Sequence, residues 1–169
     1  MTGDRFPDVR WGSESAPFRG VINAFAATRL GSRCIRTLVP LDRRVLSRTK
    51  GRYTVLGPFG LPLLLLTTVG SKSGQRRESP LIYLRDGERL LLFGSNFGQS
   101  MHPAWSSNLL ANPNGWVTMG GQEIPVMAEQ LFRDDYDRAC QKFMAYLKAY
   151  PAYRTRTDRE IRAFALTRQ

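Results

Sequence analysis

L-P-L-L-L-L-T-T-V-G-S-K-S-G-Q-R-R-E-S-P-L-I-Y-L-R-D-G-E-R-L-L-L-F-G-S-N, residues 61–96, is the stretch that decides the fold. Three apolar runs, around Leu61–Val69, Ser79–Arg85 and Arg89–Ser95, predict three strands. Asp86-Gly87 between the last two is a tight hairpin signal. The first connection is of another kind: Gly70-Ser71-Lys72-Ser73-Gly74-Gln75-Arg76-Arg77 is small, basic and rich in hydroxyls. A hairpin needs only about two to five connecting residues, so length and charge leave two readings, a solvated turn or an anion site. Its glycines let backbone approach a ligand, and its cations and hydroxyls supply donors. The spacing is not that of a Walker loop, and the strand-like segment that follows excludes a Rossmann turn.

Working outward from this hairpin, residues 1–17 are polar, broken by Pro7, Gly12 and Pro17, and predict a loose lead before one domain over 18–169. Phe18, Val21, Ile22, Phe25 and Ala26 fall at helical spacing. Gly31-Ser32 interrupts, Ile35, Leu38 and Val39 continue, and Pro40 starts a further short helix carrying Val45 and Leu46. Seven cations from Arg29 to Lys50 accompany residues 18–50. Such basic amphipathic helices suit either an anionic membrane surface or a barrel wall with their charges in water. Residues 52–60 read as a loop into the first strand.

Beyond the third strand, Ser95–Ser100 is a polar connection and Pro103–Ala111 a short helix. Trp116–Met119, Gly120-Gly121 and Gln122–Leu131 form a second hairpin, with Pro125 marking an edge or a bulge. Phe132, Tyr136, Ala139, Cys140, Phe143, Met144 and Leu147 outline an amphipathic helix that Tyr150-Pro151-Ala152-Tyr153 stops. Asp158–Leu166 is a last strand or short helix. Five or six antiparallel strands with helices before, between and after them make an α+β domain on a small barrel.

The net charge of +11 permits nucleic acid, an anionic membrane or a polyanionic small ligand. No nucleic-acid motif accompanies it, so nucleic acid has only the charge to support it. No apolar run is long enough to span a bilayer and no export leader is evident, which predicts a cytoplasmic protein. Cys34 and Cys140 lack metal or redox spacing. His102 is the single histidine, without a partner set for zinc or for serine-hydrolase chemistry.

The blocks L-L-T-T-V-G-S-K-S-G-Q-R-R, S-P-L-I-Y-L-R-D-G, G-S-N-F-G and M-H-P-A-W-S-S-N-L-L-A-N-P, in this order and spacing, resemble the deazaflavin-dependent nitroreductase family. That resemblance implies a split β-barrel of FMN-binding-like type that uses coenzyme F420, whose phosphodiester and glutamate tail are anionic. It implies an oxidoreductase passing a hydride from the reduced coenzyme to a planar apolar acceptor, a quinone or a nitroaromatic. Alternatives are an FMN enzyme on the same barrel, or a non-catalytic module that binds the coenzyme or docks on a membrane.

By position in the family motifs, Lys72, Ser73, Gly74 and Arg77 would hold phosphate and tail, with Arg76 standing where the family often has proline. Pro80 and Leu81 would pack along the ring and its ribityl chain, and Ser95 and Asn96 would meet its polar edge. The family commonly has lysine at the position of Asn96. Trp105 and Asn108 match the Trp and Asn of the short helix. Tyr150 and Tyr153, together with Tyr83, are the phenols placed at the acceptor, while Arg156 replaces a third tyrosine of the relatives. Read without the resemblance, Trp105 is a core residue, Asn108 a solvated or capping one, and the two C-terminal tyrosines a clamp on the barrel.

Overall fold

The computed structural model describes residues 5–7, 9, 24–56 and 61–169. A long helix α1 (Arg29–Arg48) precedes strands β1 (Leu63–Val69), β2 (Arg76–Asp86) and β3 (Arg89–Phe93). A 3-10 turn (Asn96–Gly98) and helix α2 (Ala104–Ala111) lead to β4 (Asn114–Met119) and β5 (Gln122–Gln130). Helices α3 (Arg133–Tyr146) and α4 (Tyr150–Arg154) then precede β6 (Ala163–Arg168). The six strands close into a barrel in the order β1-β2-β3-β6-β5-β4, every pair antiparallel.

Alternation along each strand divides the core in two. Leu64 and Leu66 of β1, Leu90 and Leu92 of β3, Val117 and Met119 of β4, and Phe164 and Leu166 of β6 fill the barrel. Leu91 and Phe93 face outward into a second core with Ala139, Cys140 and Phe143 of α3 and with Tyr150 and Tyr153 of α4. Phe93 stacks on Phe143 at 4.3 Å, and Tyr150 meets both rings edge-on. Because helices cover much of the outer wall, β1 and β3 are apolar on both faces, which is why their sequences run without alternation.

The two ends of the barrel are closed differently. Trp105 and Leu109 of α2 plug one mouth, beside the β1–β2 hairpin tip. Phe6, 3% exposed, and Val9 close the other. Arg85 donates there to the carbonyls of Phe6 (3.0 Å) and Pro7 (2.7 Å). The expected loose lead is therefore seated where it is described; its remainder and the helical start at Phe18, Val21 and Ile22 lie outside the described residues, as do residues 57–60 of the loop into β1.

Several expectations change. Gly31-Ser32 and Pro40 do not divide the N-terminal helix: α1 runs through both. Gly31 lies where a Cβ would fall 1.9 Å from the Phe25 carbonyl oxygen, so glycine lets the helix pass its own approach segment. Pro40 is exposed, and water can satisfy the carbonyl whose helical donor it lacks. β2 begins at Arg76, so the connection shortens to Gly70–Gln75 and both arginines sit on the strand. Tyr150–Arg154 forms a short helix with Pro151 in its first turn, where the missing N–H costs nothing. The last segment resolves into β6, the strand that closes the barrel.

Pro125 sits at neither a free edge nor a bulge: it pairs with Trp116, and its carbonyl accepts from Gln169 N at 3.1 Å. The ladder to β6 starts only at Val126, so the absent N–H interrupts nothing. The Gly120-Gly121 turn is as expected, with both φ positive (58° and 85°), the backbone of a two-residue hairpin loop that glycine adopts without strain.

Candidate functional site

One barrel mouth gathers most of the residues singled out from the sequence. The β1 and β2 ends meet there at Val69 opposite Arg76, and the turn between them is held from within. Gly70 N donates to Gln75 O (2.8 Å) and Gly74 N to Gly70 O (2.7 Å), with Gly74 at φ +66°. A third tie comes from α2. Asn108, 5% exposed, accepts from Ser71 N at 3.0 Å and donates to Thr68 Oγ1 at 3.0 Å. Asn108 is thus neither solvated nor a cap. It fastens the helix that plugs the barrel to the first residue of the basic turn.

What remains unpaired in that turn is what an anion needs. The backbone N–H groups of Lys72 and Ser73 have no acceptor among the described residues, and neither the Lys72 nor the Arg77 side chain has a partner there. Residues 71–78 are all exposed. Adjacent backbone donors on a rigid turn, flanked by cations, make an anion-binding concavity. These residues fit a phosphodiester with an acidic tail. Arg76 differs: its Nη2 donates to Glu123 at 3.0 Å and its guanidinium lies 4.0 Å from the Trp116 ring centroid, on the outer wall.

The polar connection after β3 lies at the same end. Asn96 (φ 47°), Phe97 (φ 55°) and Gly98 (φ 77°) are three consecutive left-handed residues, the first two without glycine's freedom. Such a run persists only when its surroundings impose it. Arg159 does so: it donates to the carbonyls of Gly94 (2.8 Å), Ser95 (2.9 Å) and Gln99 (2.9 Å). Its Nη1 lies 3.3 Å from His102 Nδ1. Burial first, then Arg162 and Arg159, lowers the His102 pKa, which keeps the ring neutral with Nδ1 as the acceptor. Asn96 Nδ2 donates to Met101 O at 3.0 Å, tightening the same segment. No sequence motif marks Arg159, because its partners are backbone carbonyls far earlier in the chain; a lone basic residue in T-D-R-E-I-R carries no periodic signal.

Other expected residues are placed elsewhere. Pro80 and Leu81 fall on opposite faces of β2, Leu81 against the barrel interior, since neighbours on a strand alternate. Trp105 is 4% exposed and meets Phe164 edge-on at 5.6 Å inside the barrel. The three tyrosines placed at the acceptor are all buried. Tyr83 hydrogen-bonds to the Val9 carbonyl (3.4 Å), towards the opposite mouth. Tyr153 donates to the Ala26 carbonyl at 3.0 Å, and Tyr150 is fully enclosed, its hydroxyl near Cys140 and Tyr136 without a well-formed bond. Burial is the main cause that pushes both phenol pKa values up, so both stay protonated at neutral pH. Arg156 shares this clamp: it donates to Ser32 Oγ at 3.0 Å and to the Ala27 carbonyl. In this conformation Tyr153 and Arg156 tie the α4 region to residues 26–32, and the side chains of all three tyrosines are buried.

Comparison with known proteins places this architecture. Residues 38–168 match the family described as F420H(2)-dependent quinone reductase. An F420H(2)-dependent quinone reductase of Mycobacterium tuberculosis (strain H37Rv) is 35% identical over 135 residues, 78% of this chain and 91% of the relative. The solved structure of an F420-H2 dependent reductase (FDR-A) superposes with a TM-score of 0.57 at 31% identity, over 62% of this chain and 93% of that one. A second solved structure, described as a domain-swapped dimer, gives 0.58 at 30% identity, over 73% and 95% of the two chains.

Proposed function

The chain belongs to the F420H(2)-dependent quinone reductase family, and from that membership we propose that it reduces a quinone with reduced coenzyme F420 bound at the α2 mouth of the barrel. The observation that carries the placement is the β1–β2 turn, where two unpaired backbone N–H groups and two unpaired cations sit on a loop that Asn108 holds in shape. The coenzyme would supply the hydride. This chain's part is to bind and orient. Lys72, Ser73, Gly74 and Arg77 hold the phosphate end, and Ser95 and Asn96 present polar groups to the ring from a segment that Arg159 keeps rigid. Asn108 and Trp105 act through the loop and the barrel plug. Tyr150 and Tyr153, protonated and enclosed, brace the outer core rather than donate protons. An FMN reading of the same barrel gives way to the deazaflavin, since the family match and the basic turn agree.

Titration of the purified protein with the deazaflavin, followed by fluorescence polarisation, tests this. Micromolar binding is expected, and Lys72→Ala and Arg77→Ala should each weaken it by about 1–3 kcal/mol if their bonds are charge-assisted. Unaltered affinity in both variants would remove the turn from the site.

A second reading concerns location. Among the described residues no helix is long and apolar enough to cross a membrane. Along α1, Leu30 (67% exposed) and Leu41 (48%) stand out among exposed arginines, with Phe25 (45%) just before the helix. Such a face suits the surface of an anionic bilayer, where each cation contributes roughly 1 kcal/mol. Co-sedimentation with vesicles containing phosphatidylserine, lost on Leu30→Asp and absent with neutral vesicles, is the expected result. Equal recovery on both vesicle types would assign α1 to the barrel wall alone.

A further inference from the structure

A cleft of about 230 Å³ lies on the outer barrel wall between α1 and the start of β2, lined by Arg43, Thr67, Arg76, Arg77, Glu78 and Glu123. Of these residues only Arg77 is shared with the coenzyme site proposed above, and the core does not require the cleft. Arg76 is fixed there on two sides, by the Trp116 face at 4.0 Å and by Glu123 at 3.0 Å. One guanidinium donor is used in that ion pair, and the others have no partner among the described residues. Arg43 reaches the cleft from α1 and has no ion pair among the described residues. Thr67 lines it from β1: the residue is 3% exposed and its hydroxyl has no hydrogen-bond partner. A buried hydroxyl left unpaired costs free energy unless something arrives to use it. Glu78, which accepts from Ser47 Oγ at 3.2 Å, and Glu123 make the cleft mixed in charge, so it suits an oxyanion attached to an amide better than a bare polyanion.

We propose that this cleft is a second oxyanion site, in which Arg43 and Arg76 hold one carboxylate of an acidic, amide-linked chain and Thr67 donates to it. The cleft begins where the basic turn ends, since Arg76 is the first residue of β2. The natural source of such a carboxylate is the glutamate tail of the coenzyme, with a free oxyanion as the other source; the tail version rests on the function proposed above. Arg76 supplies the cleft's stacked cation, held between the Trp116 ring and Glu123.

The test uses the intact protein with four probes: coenzyme F420, the tail-less deazaflavin riboside, the dipeptide γ-glutamylglutamate and inorganic phosphate. Arg43→Gln and Thr67→Val should each weaken the tailed coenzyme and the dipeptide by roughly tenfold, leaving the riboside unchanged. If instead phosphate alone raises the melting temperature, and both variants abolish that rise, the site stands and its ligand is a free oxyanion. Thr67→Val keeps the β-branched shape and removes only the unpaired hydroxyl, so without ligand its melting temperature should hold or rise. A fall of several degrees would reveal an internal partner and overturn the proposal. So would an identical response of both variants and the parent protein to all four probes. Failure of the riboside to bind the parent protein would count against the proposed coenzyme site, while the dipeptide and phosphate would still decide the cleft.

Discussion

Trp105→Ala is expected to lower the unfolding free energy by about 3–5 kcal/mol, the usual loss when a large buried aromatic leaves a cavity. In a chain of this size that shifts the thermal midpoint by on the order of 10 °C. The reason is position. Trp105 is 4% exposed, packs edge-on to Phe164 of β6, and with Leu109 fills the barrel mouth from α2. Coenzyme affinity should fall with stability, because Asn108 is on the same helix and loses its hold on Ser71 when α2 loosens. Trp105→Phe separates packing from contact. The indole N–H has no acceptor among the described residues, so phenylalanine gives up ring volume and one unpaired donor. Chemical denaturation of Trp105→Phe should show a loss of about 1–2 kcal/mol, with polarisation titration giving an affinity close to that of the parent. A protein that stays stable yet loses most of its coenzyme affinity would show that the indole touches the ligand, and the core assignment would fail.

What the sequence made legible follows the range over which each signal acts. β1, β3 and the Gly120-Gly121 hairpin were readable because apolar runs and glycine turns are local, and α3 because its apolar face repeats at helical spacing. Gly31-Ser32 and Pro40 are local breakers and predict a divided helix where α1 runs unbroken. Their effect was overridden by tertiary contacts: Ser32 Oγ donates to the Ala26 and Thr28 carbonyls, and the buried Asp42 accepts from Thr54 Oγ1 and Val55 N. The extension of β2 to Arg76 was hidden for a similar reason. Two arginines read as loop, but one is stacked on Trp116 and both complete the ladder to β1. In the candidate site, the basic turn was visible as composition, whereas Asn108 as its fastener was not. That role depends on a helix and a hairpin meeting from opposite ends of a motif, which spacing does not encode. The family resemblance points to Tyr150 and Tyr153 by position, and only the three-dimensional packing of α4 beneath residues 24–32 shows these two hydroxyls enclosed.

Arg159→Met is expected to slow reduction of a quinone by bound, reduced coenzyme by roughly 10–100-fold in single turnover, the order lost when a reacting group's positioning is relaxed. Coenzyme affinity should change far less. The two effects separate because Arg159 holds the carbonyls of Gly94, Ser95 and Gln99 and the His102 ring, whereas the phosphate end is placed at the β1–β2 turn. Asn96 and Phe97 occupy left-handed backbone that costs each of them free energy, and three charge-assisted bonds from one guanidinium offset that cost. Without the guanidinium the segment relaxes towards ordinary φ values, and Ser95 and Asn96 no longer present their side chains at a fixed place. The loss should be local, since such loops open without global unfolding; the melting temperature should therefore move much less than in Trp105→Ala. Arg159→Lys should restore only part of the rate, because an ammonium point charge cannot span three carbonyls as a planar fork does. Guanidinium added to an Arg159→Gly variant should recover part of the rate. A residue that merely supported the fold would give a different pattern, with affinity, rate and stability falling together and neither lysine nor guanidinium bringing back the rate alone. That pattern would strip Arg159 of its positioning role and with it the case for the 94–99 segment as the place where the ring is oriented.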